Sequence, residues 1–298
     1  MTAGQPIALT IGTFDGIHRG HQAMLSRLAE AASDLTLASA VLTFDPYPRE
    51  FFARETAPAR LSSLRTRINR FAAHGVEHVY IARFDRALAG LTPEEFVADV
   101  LIRRLGVRWV LVGEDFRFGR GRSGDVDALR RAARTFSVEA MRTVEVAGGR
   151  ASSTAVRQAL GAGDIETASA LLGHAYTMTG RVAHGLKLGR TLGFPTANIP
   201  LRYRPAISGI FAVLVHGLGE TPLPAVASIG IRPTIDAGTQ PLLEVFILDF
   251  DRQIYGRRLT IEFLHKFRDE ERYANLDALV AQIRNDVAKA REYFLARR

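Results

Sequence analysis

Two histidines, His18 and His21, stand three residues apart in the stretch IALTIGTFDGIHRGHQAML, just after a short apolar run, Ile7 to Ile11. The run reads as a buried strand, Gly12 permits a tight exit, and Asp15 and Gly16 turn the chain into a helix starting near His18 that carries Ala23, Leu25, Leu28 and Ala29. That spacing puts both imidazoles on one face of the first helical turn, where unpaired backbone N–H groups and the positive dipole end favour an anion. There they can stabilise charge developing on a phosphoryl oxygen, with Gly12, Phe14 and Asp15 as further nucleotide-side candidates. Two other readings of the pair stay open: a metal pair, which needs more ligands in a chain without cysteine, and ordinary helix-surface histidines.

Two more stretches of the first half suit phosphate. GEDFRFGRGRSGD interleaves Gly113, Gly119, Gly121 and Gly124 with Arg117, Arg120, Arg122 and two phenylalanines, directly after the apolar run RWVLVG. Loops at strand C-termini of an open α/β sheet bind ligands; glycine admits the backbone to a phosphate, arginine neutralises it, and a ring can stack on a base. An RNA-binding segment of arginine-glycine character is the alternative. ASSTAVRQAL supplies another helix start, with Ser153 as N-cap, Thr154 beside it and Arg157 in the first turns, as a pyrophosphate leaving group requires. Ordinary capping would explain the serines alone.

In the second half, GRVAHGLKLGRTLGFPTANI offers glycine N–H groups, including that of Gly185, with Lys187 and Arg190 as charge partners for phosphate. Thr196 and Asn198 alternate along an extended segment and present their oxygens to one side, a donor set that a hard cation such as Mg²⁺ accepts; a plain turn is the bland reading. Glu244 shares a strand face with Leu242, Phe246 and Leu248, where a carboxylate is costly without a task or a partner. Glu262 is similarly flanked, and a structural ion pair would account for either.

Positioning these groups requires two kinds of scaffold. After the opening unit, Leu35 to Phe44 reads as a strand, TFDPYPRE as a proline-bounded loop, about 62–73 as a helix and EHVYIARF as a strand. TPEEFVADVLIRRL follows as a helix capped by Thr92 with Pro93 in its first turn, and RWVLVG closes the set of strands. The alternation predicts a mainly parallel sheet covered on both faces, a Rossmann-like mononucleotide-binding α/β domain. Helices at about 154–160 and 165–172 end it. From Tyr176 the strands TMTGRVA, GIFAVLV, PAVASIGI, LLEVFILDF and RRLTIEFL predict a small closed all-β barrel. A last helix carries Leu276, Leu279, Val280, Ile283, Val287 and Phe294 as one apolar stripe, expected to be core packing against the barrel. The expected domains are 1–174 and 175–298.

Two domains fit 298 residues, and 47% hydrophobic content fills two cores. No apolar run approaches the roughly 18 residues of a membrane span, and a strand begins almost at the N-terminus, so the expectation is a cytoplasmic protein without a membrane partner. A net charge of +8 attracts phosphate of any kind, but the basic residues are dispersed rather than blocked, which weighs against nucleic acid. Lysine occurs only at Lys187, Lys266 and Lys289, and no G-x-x-x-x-G-K-[ST] loop exists, so a kinase activity here would not use a P-loop.

GTFDGIHRGH is similar to the H-x-G-H signature of the nucleotidyltransferase superfamily. With GEDFRFGRGRSG and SSTAVRQAL in this order, and with GFPTAN, SIGIRPTI and IYGRRL behind them, nearly the whole chain resembles the bacterial bifunctional riboflavin kinase/FMN adenylyltransferase family. That resemblance implies phosphorylation of riboflavin by ATP to FMN in the barrel, then adenylylation of FMN to FAD with release of pyrophosphate in the first domain. It implies Mg²⁺ with ATP as co-substrate and no tightly bound organic cofactor. By residue, it implies His18 and His21 on the α-phosphoryl transition state, Ser153, Thr154 and Arg157 on the departing phosphates, and Asp115, Phe116 and Arg268 beside flavin. Thr196 and Asn198 would hold the metal ion and Glu244 would be the kinase base, the FRDEERYANL loop closing over riboflavin. Thr13, Tyr47 and Ser228 depart from residues common in the family. Rival readings are an enzyme with one activity or another phosphorylated acceptor, and an RNA-binding module; oligomerisation is left open.

Overall fold

Short β-rich runs and amphipathic helices can bury their apolar faces only against one another, and they do so as a five-stranded parallel sheet. The structure is a computed structural model describing residues 5–146, 149–185, 193–233 and 239–297. In chain order come β1 (Ile7–Ile11), α1 (Arg19–Asp34), β2 (Ala38–Phe44), α2 (Pro48–Phe52), α3 (Leu64–Ala73), β3 (His78–Ala82) and α4 (Arg86–Gly90). Then follow α5 (Pro93–Glu95, continued by a π-helical stretch, Phe96–Arg104), β4 (Val107–Gly113), a 3-10 turn (Arg120–Arg122), α6 (Val126–Ala132) and β5 (Ser137–Met141). A small hairpin of β6 (Glu145–Val146) and β7 (Gly149–Arg150) completes this unit. The strand order is β3-β2-β1-β4-β5. All five residues of β1 are buried, the signature of a central parallel strand covered on both faces. Ile7, Leu9 and Ile11 pack under Phe96, Leu101 and Leu129 on one face; Ala8 packs with Leu25, Leu28 and Phe71 on the other. β1 lies between β2 and β4, so the order reverses there, and the loops leaving β1 and β4 open at the switch point of the sheet.

Three expectations change here. Residues 35–37 are not strand: the N–H of Leu35 closes the end of α1 and the strand begins at Ala38. The TFDPYPRE segment runs into α2, because Pro48 takes the first helical position and the Glu50 carboxylate accepts from the Tyr47 N–H. RWVLVG is not the last strand, since β5 pairs beyond it; its sequence, SVEAM, carries Glu139, which is held by Arg27 of α1 through two 2.8 Å hydrogen bonds. Thr92 caps α5 as expected, its hydroxyl accepting from the Glu95 N–H and the Glu95 carboxylate returning to the Thr92 N–H.

In the second half, α7 (Ser153–Ala162) and α8 (Ile165–Leu172) precede β8 (Thr177–Arg181), β9 (Ala197–Pro200), β10 (Gly209–His216), β11 (Leu223–Pro233), β12 (Thr239–Ile247), β13 (Arg258–Arg268) and α9 (Leu276–Leu295). The antiparallel order is β8-β13-β10-β11-β12-β9, and a bridge between Ala183 and Asn198, with the Ala183 N–H 2.8 Å from the Asn198 carbonyl, joins the two edges into a barrel. At that seam Gly180 faces Ile199 so closely that any side chain on it would collide. Phe211, Phe263, Ile199 and Val245 fill the interior together with Val156, Leu160 and Leu172 of the two helices. The chain accordingly divides into two compact units, 1–58 with 64–152, and 59–63 with 153–298.

The stripe on α9 packs against the barrel as expected over only part of its length. Its C-terminal half packs on the barrel, Val287, Ala290 and Phe294 against Ile210 and Val226. Its N-terminal half does not enter a core: Leu276, Leu279 and Ile283 line a cavity.

Candidate active sites

At the end of β1 the backbone takes positive φ at two non-glycine residues, Phe14 (50°) and Ile17 (44°), strained conformations that surrounding contacts must hold. Phe14 is 1% exposed; its ring meets Phe71 and the ring of His21, so it buttresses the histidine from the interior. Gly12 leaves room for that ring, 3.1 Å from where a Cβ would stand. Asp15 is likewise buried and accepts from the Tyr47 hydroxyl at 3.0 Å.

His18 is the N-cap of α1: its Nδ1 accepts from the His21 N–H at 3.4 Å, which places the proton of a neutral His18 on Nε2. At 7% exposure it is no surface residue. The two imidazoles stack, ring centres 3.7 Å apart. The glycine between them suits tight packing, since a Cβ on Gly20 would lie 3.2 Å from both the His18 ring and the Ala151 carbonyl. His21 is half-buried, yet its Nδ1 is enclosed and without a hydrogen-bond partner. Burial, and then the neighbouring His18, hold its pKa well below the ordinary histidine value. A neutral His21 imidazole in the first turn of a helix donates a hydrogen bond to an oxyanion without carrying full charge. Among the described residues no group of three or more His, Asp or Glu side chains could hold a metal ion, which leaves the metal reading of this pair without further ligands.

The glycine-rich loop leaves β4 beside this turn, as expected, but its composition has a different explanation. Gly119 and Gly124 are needed where side chains would strike Pro93 and Phe118, each at 2.8–2.9 Å, rather than for access to a ligand. Phe118 is buried against Phe96 and cannot stack on a base; Phe116 stacks on it and stays partly exposed. Asp115 is exposed and ion-paired with Arg150. An aromatic group not expected from the sequence stands where β2 and β3 end: Phe44, Phe51 and Phe52 surround Phe84 at 5.6–5.8 Å, and Phe52 remains 67% exposed. Four phenylalanines within TF, EFF and RFD were the available signal.

Ser153 and Thr154 are the first two residues of α7, so Ser153 begins the helix rather than capping it, and Arg157 lies one turn on with its Nε donating to the Ala59 carbonyl at 2.6 Å.

In the barrel the predicted residues converge. A cavity of about 870 Å³ is lined by Gly185, Thr196, Asn198, Glu244 and Arg268. Strand register sets Asn198, Glu244 and Ser228 directly opposite one another across β9, β12 and β11. Leu243, Val245 and Ile247 are buried in the core, while Glu244 and Phe246, on the alternate face of β12, line the cavity, where a carboxylate escapes the cost of full burial. Asn198 donates to the Thr196 carbonyl at 3.2 Å, and a side chain at Gly185 would lie 2.7 Å from its amide. Arg268 donates to both oxygens of Asp286 on α9, at 3.0 and 2.7 Å, which raises its pKa further. Glu270 accepts from the Ser228 hydroxyl at 3.2 Å at the mouth. Glu262 does not line the cavity; it pairs with His216 at 2.8 Å. Lys187 and Arg190 lie outside the described residues.

Comparison with known proteins agrees with this division. The FAD synthetase family model matches residues 2–155 and the riboflavin kinase family model residues 172–294. The bifunctional riboflavin kinase/FMN adenylyltransferase of Escherichia coli is 48% identical over 289 residues, covering 96% of this chain and 92% of that protein. The Haemophilus influenzae protein of the same name is 43% identical, covering 97% and 95%. A crystal structure described as a macrolide-efflux protein from Streptococcus pneumoniae superposes with a TM-score of 0.78 at 31% identity over 97% of this chain and 95% of that one. No described helix here is long and apolar enough to cross a membrane. By its two family matches and its full-length relatives, the chain belongs to the bifunctional riboflavin kinase/FMN adenylyltransferase family.

Proposed function

We propose that residues 175–298 convert riboflavin to FMN and residues 1–174 convert FMN to FAD, the two ATP-consuming activities of the family acting in sequence in the cytoplasm. The observation that carries the kinase assignment is the line of Asn198, Glu244 and Ser228 across one wall of the barrel cavity. Glu244 accepts the proton of the attacking ribityl hydroxyl, and the glycine backbone at Gly185 approaches phosphate. The Thr196 hydroxyl, the Asn198 amide oxygen and a nearby carboxylate are hard oxygen donors, so the residues present fit Mg²⁺. Bound there with ATP, Mg²⁺ would neutralise charge on the transferring phosphoryl group. Arg268 and the apolar wall contributed by Leu279 and Ile283 favour a flavin ring.

For the second reaction, His18 and His21 donate to the α-phosphoryl oxygens as FMN displaces pyrophosphate, and Gly12 with the GTFDG backbone lets the nucleotide approach. Phe14 and Asp15 act by holding that backbone. For Ser153, Thr154 and Arg157 we retain the role of binding the departing phosphates at the start of their helix, with Lys187 and Arg190 on the kinase phosphates and Asp115 and Phe116 beside flavin. The exposed Phe52 and its aromatic neighbours offer the isoalloxazine ring a further apolar surface.

Purified protein given riboflavin, ATP and Mg²⁺ should yield FMN and then FAD. His21→Ala should stop at FMN, and Glu244→Ala should make FAD only from supplied FMN. Loss of both reactions from either substitution in a folded protein would overturn the assignment to independent sites.

A further inference from the structure

Arg67 of α3 is completely buried, 0% exposed, although no substrate role falls to it. Its Nη1 donates to the Thr13 carbonyl at 2.8 Å and to the Thr43 hydroxyl at 2.7 Å, while its Nη2 reaches the Phe44 carbonyl at 3.4 Å. The guanidinium also lies over the Tyr47 ring, 4.7 Å from its centre, and the Tyr47 hydroxyl donates to Asp15. One buried cation therefore ties together the two loops that leave β1 and β2 at the ligand-binding edge of the sheet. The β1 loop needs such a tie: it holds positive φ at Phe14 and Ile17 and runs straight into His18, the N-cap of α1.

Resting on the reading of His18 and His21 as the adenylyl-transfer pair, we infer that Arg67, with Tyr47, is a positioning residue for that reaction. It acts through the Thr13 carbonyl and Asp15, keeping the GTFDG turn in the strained form that aims both imidazoles at the α-phosphoryl group. A fivefold fork of donors satisfies two carbonyls and a hydroxyl at once; the single ammonium of lysine cannot reproduce that geometry.

The test uses the full chain with Arg67→Lys, Tyr47→Phe and the double variant, assayed for FAD formation from supplied FMN and for FMN formation from riboflavin. The expected result for Arg67→Lys is a fall in kcat for FAD formation approaching about 10²-fold, the loss that a misplacement near 1 Å produces, with the KM for ATP little changed and riboflavin phosphorylation intact. Tyr47→Phe should cost less, and the double variant should lose less than the product of the two, because both act on one turn. Millimolar guanidinium should partly restore an Arg67→Ala variant, which a merely structural defect would not allow. Wild-type kcat in folded Arg67→Lys, or losses in the two single variants that simply multiply, would overturn the inference. Failure of the wild-type chain itself to make FAD would instead overturn the reading beneath it.

Discussion

Breaking the Arg268–Asp286 pair should loosen the half of α9 that walls the barrel cavity. Both side chains are nearly enclosed, 15% and 5% exposed, and the guanidinium donates to both carboxylate oxygens while Gln282 donates to one of them. Removing one partner of such a pair leaves an uncompensated buried charge, at a cost of about 3–5 kcal/mol. Asp286→Asn keeps one acceptor, so the lower end, about 3 kcal/mol, is expected. At about 2–4 °C per kcal/mol for a unit of this size, the melting temperature falls by about 6–12 °C. The assay pairs calorimetric melting with the FMN-forming activity that survives a heat step, and with the KM for riboflavin. An apolar pair of similar volume, Arg268→Met with Asp286→Leu, should recover most of the stability, since well-packed apolar groups replace buried ion pairs at little cost. That double variant also separates two roles of Arg268: a raised riboflavin KM in a stable protein supports its contact with flavin, whereas a wild-type KM removes that contact. An Asp286→Asn protein with unchanged melting temperature would refute the reasoning, because the pair would then not be holding α9.

Further outcomes follow from the same geometry. His21 titrates well below its unfolded value of 6.5; the unfolded chain therefore takes up a proton that the folded chain refuses, and this contribution to stability is present above pH 6.5 and lost as pH falls below it. Urea midpoints measured across that acid range should fall less steeply in His21→Gln than in the wild type. Gly185→Ala drives a Cβ against the Asn198 amide at 2.7 Å and should cut FMN formation by about 10²-fold while FAD formation from supplied FMN is unaffected, as separate product assays would read. Phe52→Ser, at a position 67% exposed, should leave melting unchanged and raise the KM for FMN about fivefold if its ring meets flavin.

Local grammar made much of this chain legible before any coordinates. Ile7–Ile11 was readable because a central parallel strand is apolar throughout, and Ile165–Leu172 because Asp164 caps it and Gly173 ends it with φ of 72°. The H-x-G-H and GFPTAN segments were readable because each is a run of a few consecutive residues that resembles a family pattern. Elements and roles defined by distant partners were not. β5 carries a glutamate whose partner, Arg27, lies 112 residues away, and Phe118 resembled an exposed stacking ring until Phe96 covered it. The apolar stripe of α9 has the same period over its core half and its cavity half, so only packing against the barrel divides Ala290 and Phe294 from Leu279 and Ile283. Composition and spacing thus marked the candidates for phosphate chemistry and most of the segments that are strands or helices. Tertiary structure alone decided that Glu244 faces a cavity with Asn198 beside it, and that Arg67 braces the histidine turn, because a side chain's neighbours are set by strand register and burial across the whole unit.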